Sequence, residues 1–114
     1  MSSLTARQKQ YIWLMGSHPD KVAVQGRGYR TKDLNYGIDE ADNELIIFGY
    51  SEPFLWLRNR GLVRRLANHP KGHVLTEAGE AEFGKLLLSG FGTDAPLRQV
   101  KVAPKGAPLA KVQA

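Results

Sequence analysis

A chain of 114 residues has room for one hydrophobic core and little besides. Hydrophobic residues make up 42% of it, enough to fold, and the absence of cysteine excludes a disulfide framework and thiol chemistry. The net charge of +5 favours a polyanionic partner. No apolar run reaches the roughly 18 residues that a membrane helix needs, and Met1-Ser2-Ser3-Leu4-Thr5 lacks the order of a secretion signal. The expected location is cytoplasmic, with no membrane partner.

Thr5-Ala6-Arg7-Gln8 reads as a capping box, in which Thr5 accepts from a backbone N–H and Gln8 reaches back. The helix it opens is predicted to run to about Met15, with Tyr11, Ile12, Leu14 and Met15 as a broad apolar face, and to stop at Gly16-Ser17-His18-Pro19-Asp20. Residues 22–25 predict a short strand, and Gly26-Arg27-Gly28 a turn. Thr31-Lys32-Asp33-Leu34 predicts the start of a short helix. Residues 39–48 predict another, because Ile38, Ala41, Leu45 and Phe48 recur at helical spacing with Asp39 as cap. After a turn at Gly49-Tyr50, Ser51-Glu52-Pro53 opens a helix, with proline in the first turn, where its missing N–H costs nothing.

Gly61 ends that helix, since glycine accepts φ > 0 just past a last helical turn. Residues 62–66 and 73–75 are predicted strands, joined through the turn chemistry of Asn68-His69-Pro70-Lys71-Gly72. Thr76 then caps a helix to about Leu88, with Phe83, Leu86 and Leu87 on its buried side. From Ser89 the chain turns rich in Gly, Pro, Ala and Lys, and residues 93–114 read as disordered. The expected organisation is a DNA-binding domain over residues 1–90 and a flexible basic tail over 91–114.

Charge falls in blocks. Residues 1–32 hold six Lys or Arg and one acid, Asp20. Residues 33–52 hold six acids (Asp33, Asp39, Glu40, Asp42, Glu44, Glu52) and no base. Residues 53–76 hold five bases (Arg58, Arg60, Arg64, Arg65, Lys71) and no acid. The pattern predicts one face turned toward phosphate and another turned away from it.

A helix leading into a basic β-hairpin is the layout of a winged helix-turn-helix, whose helix enters the major groove while its hairpin lies along the phosphates. The expected fold is α+β: a small winged helix-turn-helix domain, mostly helical with a C-terminal two-stranded wing, plus the tail. Two registers compete. In one, 39–48 is the supporting helix and 51–60 reads DNA; in the other, 31–36 supports and 39–48 reads. A helix over 39–48 would press Asp39, Glu40, Asp42 and Glu44 onto phosphates, so the first register is preferred.

Leu57-x-x-x-Gly61-Leu62-Val63-x-Arg65, followed by Leu75-Thr76-x-x-Gly79, resembles the winged-helix regulators of the MarR and PadR type over residues 51–88. The resemblance implies a DNA-binding repressor or activator acting as a homodimer. The expected function is sequence-specific binding of duplex DNA by a transcriptional regulator.

Arg58 and Asn59 are the candidates for base edges, because Arg suits guanine and Asn suits adenine in bidentate geometry. Arg60 lies beside them. Arg64, Arg65, Lys71 and His73 belong to the wing, to meet phosphate or the minor groove, although Arg64 and Arg65 must face opposite ways on a strand. Trp13 and Trp56 read as core. His69 and His73 lack the neighbouring ligands a zinc site needs, and Gly26-Arg27-Gly28, a possible anion nest, reads as a plain turn. No spacing supports a catalytic nucleophile. The expectation is a binding protein that is not an enzyme and carries no cofactor. The alternative is a protein–protein adaptor or inhibitor of phage or plasmid type acting on a host nucleic-acid machine. It would use the acidic 33–52 segment and the aromatic residues Phe48, Tyr50, Phe54 and Trp56.

Overall fold

The computed structural model describes residues 3–28, 33–48 and 53–102. Thr5 Oγ1 accepts from Gln8 N at 3.1 Å and Gln8 Oε1 from Thr5 N at 2.9 Å, so the capping box opens helix α1 (Ala6–Ser17). Strands β1 (Val22–Gly26), β2 (Leu34–Asp39) and β3 (Glu44–Phe48) follow. Helix α2 (Pro53–Asn59) leads into β4 (Val63–Leu66) and β5 (His69–Leu75), then α3 (Glu77–Leu88) and β6 (Leu97–Gln99). The strands form one mixed sheet in the order β4-β5-β1-β3-β2-β6. β1 pairs β3 and β2 pairs β6 in parallel, while the other neighbours are antiparallel.

Register decides which residues share a face. Ala23 pairs Leu45, which pairs Ile38, and Ile47 pairs Tyr36, so these side chains line one side of the sheet. That side is covered by helices: Ala23, Leu34, Leu45 and Ile47 join Tyr11, Ile12, Leu14, Met15, Phe54, Leu57 and Leu86 in one buried cluster. Gly16 lets α1 approach α3, for a Cβ there would run into the Phe83 ring. Among the described residues no helix is long and apolar enough to cross a membrane.

The mostly helical winged helix is not what this chain builds. Six strands in one mixed sheet, with three helices, replace it. The error lies in residues 33–48. The helix expected over 39–48 is the end of β2, a turn and β3, and Leu34 begins β2 where a short helix was expected. Asp39 does not cap a helix; its Oδ1 accepts from Ala41 N at 3.1 Å in a local turn. Asn43 completes that turn at φ 55°, a left-handed conformation that Asn tolerates. Without a helix there, neither register of the helix-turn-helix exists.

The 53–88 stretch follows its sequence signals closely. Gly61 has φ 74°; its N–H donates to Arg58 O at 2.9 Å, and Leu62 N–H to Leu57 O at 3.0 Å, the double bond of a Schellman stop. β4 and β5 pair antiparallel, and Thr76 Oγ1 accepts from Gly79 N to cap α3. Even so, the hairpin is no free wing, because Ala23 pairs His73 and so joins β5 to β1. The expected tail also begins too early: β6 lies within it and pairs with β2 at Leu34, Asn35 and Tyr36. The expectations for Thr31-Lys32, Gly49-Tyr50, Ser51-Glu52 and residues 103–114 lie outside the described residues.

Candidate functional site

β5 is interrupted by proline. Arg65 pairs His73 but the next residue, Leu66, pairs His69, which leaves Pro70, Lys71 and Gly72 bulged out of the ladder. Proline has no N–H to give a ladder, and bulges are where sheets accommodate it. The tight turn is Ala67-Asn68, and the expected turn residues Pro70, Lys71 and Gly72 form the bulge instead. A bulge re-aims side chains. Here it brings Pro70 and Lys71 to the rim of a cleft of about 460 Å³ between α2, the hairpin and the end of β1.

Phe54, Leu55 and Arg58 line the cleft from α2, Arg65 from β4, His73 and the bulge from β5, and Gln25 and Arg27 from β1 and the residue after it. Four cations therefore converge, and among the described lining residues none carries a carboxylate. The two central guanidinium groups are held. Arg65 donates through Nε and Nη2 to Pro70 O at 3.2 and 2.8 Å. Arg58 Nη1 lies 2.7 Å from His73 Nε2. A guanidinium can only donate, so Nε2 accepts and the His73 ring is neutral. Its proton sits on Nδ1, which donates to Lys71 O at 3.1 Å.

His73 is 6% exposed and stacks on Phe54, with ring centroids 4.4 Å apart and planes 8° apart. Burial first, and the Arg58 charge second, hold its pKa below the ordinary histidine value of 6.5. Beneath it Tyr11 meets Phe54 edge-on at 5.5 Å. The Tyr11 hydroxyl is buried, and the Gln25 side chain and the Arg7 charge act on it. Burial raises its pKa further than Arg7 and Gln25 lower it.

Of the residues singled out in the sequence, Arg58, Arg65, Lys71 and His73 come together here. Arg58 is turned toward His73 rather than outward as a base-reading side chain. Asn59 and Arg60 are exposed at the end of α2 and do not line the cleft, and Arg64, paired with Val74, lies on the opposite side of β4 from Arg65. Sequence reasoning missed Gln25 and set Arg27 aside as part of a plain turn; only the pairing of β1 with β5 brings both near. Trp56, expected in the core, is 45% exposed, whereas Phe48 and Phe54 are buried and offer no aromatic surface.

Four acids of the block, Asp39, Glu40, Asp42 and Glu44, sit at the β2–β3 turn, where oxygens of Asp39, Asp42 and Glu44 lie within 4.8 Å of one another. Such donors suit a hard cation, but Glu44 Oε2 is already 2.5 Å from His69 Nε2. Lys21 bonds Asn43 at the same turn. His69 and His73 are thus directed to different partners. Compared with known proteins, the chain matches no family model, no curated protein and no solved structure.

Proposed function

We propose that this protein binds duplex DNA through backbone phosphates, with the basic cleft and the flanking hairpin as its contact surface. The observation that carries this reading is the convergence of Arg27, Arg58, Arg65 and Lys71 on one cleft without a carboxylate in its described lining. Bringing like charges together is unfavourable, and a phosphate offsets the repulsion. Arg58 and Arg65 are pre-set by His73 and Pro70, so less side-chain freedom is lost on contact. With Arg58 held in the cleft, the binding is led by phosphates, and base reading falls to the exposed Asn59 at the end of α2.

A salt titration of binding to a short duplex tests this. Affinity falls steeply with salt, and Arg65→Ala and Lys71→Ala each reduce the slope by roughly one unit. Binding that ignores salt, or is untouched by both substitutions, overturns the reading. A second reading has its own observation: Leu55 and Trp56 expose apolar surface on α2, which suits a protein partner. Salt-insensitive capture of such a partner would favour it.

A further inference from the structure

We infer that the cleft between α2 and the bulged β5 is a phosphomonoester site that takes the terminal phosphate of a DNA strand. The inference rests on the duplex-binding reading above and specifies which phosphate enters the cleft.

Shape is the first argument. Internal phosphates of a duplex lie on a convex surface, one charge for about every 1.7 Å of axis, and meet flat or ridged protein surfaces in rows. A recess of about 460 Å³ admits one phosphate with part of the sugar behind it. A strand end presents a phosphate with three terminal oxygens that can be inserted deeper than an internal one.

Charge is the second. A bridging phosphodiester carries one negative charge, whereas a phosphomonoester carries about −1.5 to −2 near pH 7. Four cations on a single recess exceed what one diester neutralises and suit a dianion. Each guanidinium has five N–H donors. The contacts of Arg58 to His73 and of Arg65 to Pro70 O use only one or two of them, so donors remain for a phosphate with three terminal oxygens.

The third is the polarity of the walls. Leu55 and Pro70, both exposed, supply apolar surface beside the cations, which suits the sugar attached to a terminal phosphate. His73 acts as a positioning residue. Its neutral ring accepts from Arg58, and a protonated ring could not.

The experiment compares four ligands at one salt concentration: a short blunt duplex with 5′-phosphates, the same duplex with 5′-hydroxyls, the same duplex closed at both ends by hairpin loops, and inorganic phosphate. Binding is read by fluorescence anisotropy or by competition, and the His73 ring signals by NMR. The phosphorylated duplex is expected to bind at least about tenfold more tightly than the hydroxyl duplex or the loop-closed duplex. Arg27→Ala and Lys71→Ala, both at exposed positions, erase that difference while the melting temperature holds. Inorganic phosphate shifts the His73 signals in the wild type and fails to do so in Lys71→Ala. Equal binding of all three DNAs overturns the terminal-phosphate inference and leaves duplex binding standing. A response to inorganic phosphate with no DNA bound overturns duplex binding and leaves a site for free phosphate. No response to any of the four overturns both.

Discussion

The basic cleft and the acidic β2–β3 turn each gather four like charges, yet they are built in opposite ways. Arg27, Arg58, Arg65 and Lys71 come from separate stretches of chain and meet only because the sheet and α2 bring them together. Asp39, Glu40, Asp42 and Glu44 are near neighbours in sequence, and Asp39 and Glu44 are paired across the same hairpin. The carboxylates at the turn are relieved locally, Glu40 and Asp42 by solvent and Glu44 by its contact with His69. Cations gathered into a recess repel one another at a cost to the fold, and a ligand relieves that cost. The sign of a charge block therefore says little about function; whether tertiary structure has converged it says more.

The largest effect that separates the two regions is on stability. Leu57 is fully buried under α2, one residue before Arg58. Leu57→Ala is expected to cost about 2–5 kcal/mol, because the cavity left beneath the helix cannot fully collapse. Asp42→Asn, exposed in the turn, stays within about 0.5 kcal/mol. Calorimetric melting of both variants checks the contrast, and equal losses would show that the turn is as structural as the cleft floor.

A smaller loss is expected on ending the chain before Thr93. This removes β6, its pairing with β2 and the packing of Leu97 against the core. The expected cost is on the order of 1–2 kcal/mol, since Leu97 is only half-buried. β6 lies at the far edge of the sheet from β4, so the DNA binding proposed for the cleft is expected to survive the truncation. An unchanged melting temperature would mean that β6 contributes nothing to the fold.

What could be read from the sequence follows the same division between local and distant interactions. The capping box at Thr5, the glycine stop at Gly61, the hairpin and the Thr76 cap are all decided within a few residues, and all are present. Residues 33–48 misled because Asp39 serves a helix start and a local turn with the same oxygen, and because β3, in the sheet interior, lacks strict alternation. Nothing near Arg27 announces that β1 lies beside β5. Pro70 and Gly72 are the local hints of a bulge, since proline within a strand is confined to edges, first positions and bulges, and glycine often marks a bulge.

pH sharpens the contrast from the cleft side. In the folded chain His73 is held below the ordinary 6.5 by burial and Arg58, and His18 by burial and Lys21. As pH falls below about 6.5 the unfolded chain takes up protons that the folded chain resists, so their contribution to stability is complete above that value and declines beneath it. His73→Gln, whose amide oxygen can still accept from Arg58, is expected to flatten the decline and leave the share of His18. Melting curves of the wild type and the variant at about pH 7.5 and 5.5 measure it. Parallel decline in both would place the titration elsewhere.

The finest division lies within two adjacent residues. Arg64 and Arg65 have the same side chain on the same strand, but Arg64 pairs Val74 and Arg65 pairs His73, so they project from opposite sides of β4. Both are exposed, and neither replacement by Ala should move stability by more than about 0.5 kcal/mol. Only Arg65 lines the cleft and bonds Pro70 O. Arg65→Ala should therefore weaken DNA binding and frees the bulge carbonyl, while Arg64→Ala leaves binding close to the wild type. Side-by-side anisotropy titrations of the two variants at one salt concentration decide the matter. If Arg64→Ala weakened binding as much as Arg65→Ala does, the contact surface would be the whole basic hairpin, and the cleft would have no special place in it.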